Sequence, residues 1–143
     1  MKIGQFIVAA ILTVAALPVR AETIEISDDT GGSLVDYAAR WAAHRRGGVR
    51  VRIAGACNSE CTMLIGQIPR DHICVTPEAS LGFRRADLSA TTAALWKSYP
   101  TDIKLWITEH GGLNQDVSWM RAPDVYRYFN KCTDAHSSFS VVK

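Results

Sequence analysis

The sequence predicts one mixed α/β domain built on a mostly parallel sheet. Short segments in which polar and apolar residues alternate are separated by longer segments with apolar residues at helical spacing. They follow one another in the order strand, helix, strand, helix, strand, which is typical of parallel strands joined by right-handed crossovers. A chain of this length buries one hydrophobic core rather than two, so a single domain over residues 22–143 is expected.

Residues 1–21 have the three parts of a secretory signal peptide. Lys2 supplies the positive start, residues 6–19 form an almost unbroken apolar run, and residues 19–21 supply a cleavage site. The apolar run is shorter than the roughly 20 residues of a membrane-spanning helix, although an uncleaved anchor remains an alternative. We therefore expect an exported protein that has no stable membrane span after cleavage. Its expected location is the bacterial periplasm.

The charge balance gives no reason to expect nucleic acid as a partner. The formal charge of +2 comes from Lys2 and Arg20 in the predicted signal peptide, which contains no acidic residue. A neutral mature chain has no general attraction for nucleic acid or for anionic lipid.

Four cysteines follow the predicted signal peptide: Cys57, Cys61, Cys74 and Cys132. In an oxidising compartment an even number of cysteines indicates disulfides, and the three ways of pairing them stay open. A zinc site is the alternative, because Cys57 and Cys61 have the spacing of a ligand pair. The rest of the chain supplies no compact second pair, so neither a metal nor a cofactor is expected.

The elements follow in order from these patterns. Residues 23–27 alternate as a strand; Ser33 can cap a helix that ends at Gly47 and Gly48; and residues 49–55 form a second strand. Asn58 or Ser59 can cap the next helix. The remaining predictions are strands at 72–75 and 80–83, helices at 88–98 and 101–110, and a last amphipathic helix after Pro123.

Two loops of this chain should meet at the carboxyl ends of the parallel strands, where α/β proteins place their sites. They are residues 30–33 and residues 57–61. Glycines let the backbone N–H groups of Gly31 and Gly32 face an anionic oxygen at a helix N-terminus. Ser59 would lie beside them, as a hydroxyl nucleophile lies beside an oxyanion hole. The alternative is that Ser59 only caps its helix.

The ordered motifs resemble a known family. The chain reads Asp-Thr-Gly-Gly-Ser before a helix at residues 29–33, Cys-Asn-Ser-Glu-Cys-Thr at 57–62 and Thr-Pro-Glu-Ala-Ser-Leu-Gly-Phe at 76–83. In this order they are similar to the small exported Clp-protease-like proteins of bacteria, in the ClpP/crotonase-like superfamily. The resemblance implies a reduced ClpP/crotonase-like core with a mostly parallel sheet, strand–helix crossovers and C-terminal helices.

The resemblance also implies roles for residues. Ser59 matches the nucleophile position, and Gly31 and Gly32 with the N–H of Glu60 match the oxyanion donors. Arg84 stands where the family has its catalytic histidine, and arginine accepts no proton near neutral pH. His110 is a candidate substitute base, but it lies at a helix end, where a histidine commonly contacts the last carbonyls of the helix rather than a distant serine.

Three functions remain open on this reading. The first is a pseudoenzyme that binds a peptide or acyl ligand, with Arg84 attracting a carboxylate. The second is an active serine peptidase or hydrolase that uses Ser59 with an unconventional base. The third is a disulfide-stabilised interaction module without a working cleft. Relatives of this fold often form homo-oligomers, which remains open for this chain.

Overall fold

The computed structural model describes residue 16 and residues 20–133, so the predicted signal peptide lies almost entirely outside the described residues. The strands are β1 (Thr23–Asp29), β2 (Arg50–Asn58), β3 (Ile73–Val75), β4 (Ser80–Phe83), β5 (Ser118–Met120) and β6 (Asn130–Lys131). The α-helices are α1 (Leu34–Arg46), α2 (Leu64–Gln67), α3 (Ser89–Ser98) and α4 (Thr101–Glu109). Single 3-10 turns cover Ser59–Met63, Arg70–His72 and Asp124–Arg127.

The fold is mixed α/β, with a curled and mostly parallel sheet centred on β2. Strand β1 pairs with β2 from Thr23 to Asp29 along one edge. The other edge of β2 is shared, because β3 pairs with its first half and β4 with its last three residues. These pairs are parallel, as is β3 with β6, whereas β4 and β5 are antiparallel. The predicted α/β class and parallel sheet are thereby confirmed.

Helix α1 begins where the sequence predicts. The side chain of Ser33 accepts a hydrogen bond from the backbone N–H of Asp36, which supplies the expected N-cap. The apolar face then turns inward and buries Trp41. The helix ends at Gly47, so the turn into β2 is the one predicted from the Gly-Gly pair.

The core lies between the inner face of the sheet and the helices. On β2 the buried side chains are Val51, Ile53 and Cys57, two or four residues apart, as a strand with one buried face requires. Phe83 of β4 makes an edge contact with Tyr99 at a ring distance of 5.4 Å. Each large apolar side chain buried in this way contributes about 1.5–3 kcal/mol.

The four cysteines form two disulfides, Cys57–Cys61 and Cys74–Cys132. This confirms the disulfide prediction and settles the pairing that the sequence left open. The first bond closes a small ring over the turn after β2, and the second ties β3 to the residue after β6. Since both thiols of Cys57 and Cys61 are used, this pair offers no zinc ligands.

Two helix predictions differ from the structure. The helix predicted after Pro123 is only the 3-10 turn Asp124–Arg127, and β5 and β6 flank it instead. The segment after Asn58 begins as a 3-10 turn and gives only four α-helical residues. Pro69 follows two residues after the end of α2 and cannot continue it, so the helix stays short. Gly66 within α2 lies against the carbonyl of Ser98, with no room for a side chain.

Among the described residues, no helix is long and apolar enough to cross a membrane.

Candidate functional site

The two loops singled out in the sequence meet at the carboxyl ends of β1 and β2. Asp29 pairs with Cys57, so the turns that follow these strands are neighbours. Gly31 has a φ of +88°, and a β-carbon there would lie 3.0 Å from the Cβ of Ser59. Gly31 is therefore required both by its backbone conformation and by the approach of Ser59.

Ser59 has an unusual backbone for a residue with a side chain. Its φ is +54°, in the left-handed region, and it is the only non-glycine residue with positive φ among those described. The residue is 1% exposed. The N-cap of the helical turn that Ser59 begins is Asn58, which makes no side-chain cap, and the Oγ of Ser59 has no hydrogen-bond partner among the described residues. The alternative in which Ser59 serves as a helix cap is therefore wrong.

A chain of hydroxyl groups holds the carbonyl of Ser59. The Oγ1 of Thr62 donates to this carbonyl at 2.6 Å and lies 2.6 Å from the hydroxyl of Tyr99. A threonine hydroxyl has one proton, so the Tyr99 hydroxyl is the donor in the second bond. Burial raises the pKa of Tyr99, the hydrogen bond with Thr62 lowers it, and the charge of Glu60 raises it further. Tyr99 thus remains a proton donor.

The Cys57–Cys61 disulfide spans the same turn. It encloses residues 58–60 in a ring with a sequence separation of four. Together with the hydroxyl chain it restrains the left-handed backbone of Ser59, which costs free energy for an L-residue. A backbone strained at one residue and restrained from two sides is typical of functional positions.

Two of the three donors predicted for an oxyanion, the N–H groups of Gly31 and Gly32, already have acceptors. The N–H of Gly32 donates to Oε2 of Glu60 at 3.1 Å, and the N–H of Gly31 donates to Oδ1 of Asp29 at 3.0 Å. Glu60 is 8% exposed. The structure therefore brings Gly31, Gly32, Ser59 and Glu60 together, with Glu60 contributing a carboxylate acceptor that the sequence analysis did not expect.

Asp29 anchors the first loop and was missed by the sequence analysis. Besides the N–H of Gly31, its carboxylate accepts a hydrogen bond from the hydroxyl of Tyr37 and forms an ion pair with Arg40 at 3.4 Å. Burial and the hydrogen bond to Asp29 raise the pKa of Tyr37. The signal was present in the sequence, because an aspartate two residues before a glycine often forms such a side-chain turn.

Arg84 lies directly after β4, whose carboxyl end is beside that of β2. Asn58 pairs with Gly82, and a β-carbon on Gly82 would lie 2.6 Å from Oδ1 of Asn58. Three buried polar atoms at this edge have no partner among the described residues: Oδ1 of Asn58, Oγ of Ser59 and Nε of Arg84. Buried polar atoms are nearly always hydrogen-bonded, so this group of three is notable.

No histidine in the described part of the chain is hydrogen-bonded to Ser59. His110 stacks on Trp106 at a ring distance of 3.8 Å, and its Nδ1 lies 2.7 Å from the carbonyl of the same residue. That contact uses the proton on Nδ1. His72 ends the turn before β3, at the opposite end of the sheet. The described part of the chain also contains no cluster of three metal-ligating side chains.

No protein-family model matches this chain, and no curated protein matches it. The function is therefore argued from the site itself.

Proposed function

We propose that this protein is an exported, catalytically inactive Clp-protease-like protein that binds the carboxylate of a peptide or acyl ligand. The observation that carries the proposal is the hydrogen bond from the N–H of Gly32 to the carboxylate of Glu60. The Gly31–Gly32 turn thus holds a carboxylate already, and a ligand carboxylate would take the same place once Glu60 leaves it.

The surroundings favour an anionic ligand. The turn precedes the N-terminus of the thirteen-residue helix α1, where the helix dipole stabilises negative charge. The buried Nε of Arg84 has no acceptor in the part of the chain that the structure describes. Guanidinium groups bind carboxylates in two-pronged geometry, so Arg84 would supply the second contact to the ligand.

The lack of a base supports binding rather than cleavage. The hydroxyl of Ser59 has no hydrogen-bond partner among the described residues, and Arg84 accepts no proton. A serine without a general base is a neutral alcohol and a poor nucleophile. Loss of a member of a catalytic triad costs several powers of ten in rate.

An active serine hydrolase is the second candidate, and the backbone of Ser59 favours it. Nucleophilic serines of α/β hydrolases lie on a strained turn between a strand and a helix. Ser59 follows β2, has a φ of +54° and precedes a helical segment. Serine-dependent turnover of an ester or a peptide would support this candidate against the first.

Exchange of the internal carboxylate tests the first candidate. The probe is acetyl-Ala-Leu-Ala-Ala with a free C-terminus, compared with its C-terminal amide, and the readout is the amide NMR signal of Gly32. We expect Glu60→Ala to bind the free acid about tenfold more tightly than wild type, because a competing charge-assisted hydrogen bond is gone. Glu78→Ala, which removes an exposed carboxylate from another loop, is the control.

Arg84→Ala in the Glu60→Ala background should abolish the preference for the free acid over the amide. Equal binding of acid and amide by Glu60→Ala, or no shift of the Gly32 signal, would contradict the proposal.

A further inference from the structure

A groove runs along the outer edge of β1, on the side away from β2. It has a volume of about 190 Å³ and is lined by residues 24–29 and by Arg40, Trp41 and His44 of α1. Side chains of a strand alternate between its two faces. Because consecutive residues of β1 all line the groove, it follows the edge of the strand rather than one face.

This edge has no partner strand within residues 20–133. Strand β1 pairs only with β2 among the described strands. The N–H of Arg50 donates to the carbonyl of Glu22, so the backbone groups of Glu22 face β2. By alternation those of Thr23 and Glu25 face outward. An exposed edge of seven residues is a template for pairing with another extended chain.

A buried donor in the groove also lacks an acceptor. Trp41 is 2% exposed, and its Nε1 has no hydrogen-bond partner among the described residues. Buried indole N–H groups normally find an acceptor. A carbonyl group of a peptide lying against the Trp41 side chain, which lines the groove, would supply an acceptor to this N–H.

The charges of the edge favour a basic occupant. Glu25, Asp28 and Asp29 place three carboxylates on one short strand. Glu25 and Asp29 have partners in Arg52 and Arg40, whereas Asp28 is exposed and forms no ion pair within the described residues. Pairing of β1 with β1 of a second copy would bring all six carboxylates of the two strands together, which like-charge repulsion disfavours.

We propose that this groove binds an extended, lysine- or arginine-containing peptide segment as an additional strand on β1. The main-chain groups of Thr23 and Glu25 provide the pairing, Trp41 donates to the peptide, and the carboxylates select for positive charge. The groove shares Asp29 with the Gly31–Gly32 turn, but strand pairing on β1 does not depend on the function proposed for that turn.

The test uses the protein in the form that expressing cells accumulate, with acetyl-Lys-Val-Lys-Val-Lys-Val-amide as the probe. Controls are the same peptide N-methylated at alternate residues, which cannot pair, and its glutamate counterpart. We expect the basic peptide to slow amide hydrogen exchange at Thr23 and Glu25. The basic peptide should bind about tenfold more tightly than the acidic one, because its cations form several exposed charge pairs with the carboxylates of β1.

Three variants sharpen the result. Trp41→Phe keeps a ring in the core but removes the N–H, and should weaken binding of the basic peptide about tenfold. Asp28→Lys reverses one exposed charge and should reduce the preference for the basic peptide. Glu60→Ala should leave binding unchanged, which separates this site from the Gly31–Gly32 turn.

Equal binding of the N-methylated peptide would overturn the proposal, as would equal binding by the Trp41→Phe variant with its fold intact. Protection of Thr23 and Glu25 that rises with protein concentration in the absence of peptide would also overturn it, because a second copy would then be the occupant.

Discussion

The carboxylate of Glu60 accepts a hydrogen bond from the backbone N–H of Gly32, across 28 positions of sequence. The contact joins the turn after β1 to the turn after β2 and engages an N–H that the sequence resemblance assigns to an oxyanion. Ser59, next to Glu60 in the chain, is 1% exposed.

The left-handed backbone of Ser59 predicts an unusual order of stabilities for two variants. Ser59→Gly and Ser59→Ala both remove the unpartnered hydroxyl, but only alanine keeps a β-carbon at a φ of +54°. We expect the glycine variant to be the more stable by about 1 kcal/mol, measured by urea unfolding. An alanine variant of equal or greater stability would show that the turn is not strained.

Gly82 leaves space for its neighbours. A β-carbon there would lie 2.6 Å from Oδ1 of Asn58 and 2.8 Å from the ring of Trp119. Gly82→Ala should therefore destabilise the protein by about 1–3 kcal/mol in the same assay. Gly47→Ala is the matched control, because the nearest atom lies 3.6 Å away and φ is −77°. Its stability should stay within about 0.5 kcal/mol of wild type.

The two disulfides should differ in what they contribute. Restriction of the unfolded chain grows with loop length, and the sequence separations are 58 and 4. Replacing Cys74 and Cys132 by serine should cost about 4 kcal/mol, against about 2 kcal/mol for Cys57 and Cys61. Urea unfolding of the two double variants measures the difference, and a larger loss from the shorter loop would refute the entropic argument.

Because of Tyr99, the stability of the folded protein should decrease at alkaline pH. Burial raises its pKa in the folded protein, whereas the unfolded phenol ionises near the usual value of about 10. The contribution of Tyr99 to stability is present below about pH 10 and declines as the pH rises from there toward its folded pKa. The free energy of unfolding should therefore fall less between pH 8 and pH 11 for Tyr99→Phe than for the wild type. An identical fall in both would contradict this reasoning.

Much of the fold could be predicted from local patterns. Strands β1 and β4 and helix α1 follow directly from alternation, helical spacing and the Ser33 and Gly47 boundaries. Strands β5 and β6 could not be predicted, because they have three and two residues and owe their existence to β4 and β3 beside them. Local sequence carries little signal for strands this short.

The location of the site could be predicted from the sequence, but the hydrogen bond between Gly32 and the carboxylate of Glu60 could not. The sequence places Gly31, Gly32, Ser59 and Glu60 at the ends of two adjacent strands, and the structure brings them together. The side-chain direction of Glu60 follows from the tight turn over residues 59–63, which the sequence suggested would be a regular helix. The position of Asn58 in the site depends on its pairing with Gly82, which is a contact between segments distant in the sequence and therefore not predictable from local patterns.

The most direct test of the central claim, binding without cleavage, is intact-mass analysis after treatment with a fluorophosphonate probe for activated serines. An active serine hydrolase in the same reaction verifies the probe, and Ser59→Ala is the matched variant. Our account predicts that the mass of the wild-type protein stays unchanged, because Oγ of Ser59 has no hydrogen-bonded base among the described residues. A mass increase of one probe group that disappears in Ser59→Ala would show an activated serine and contradict the account.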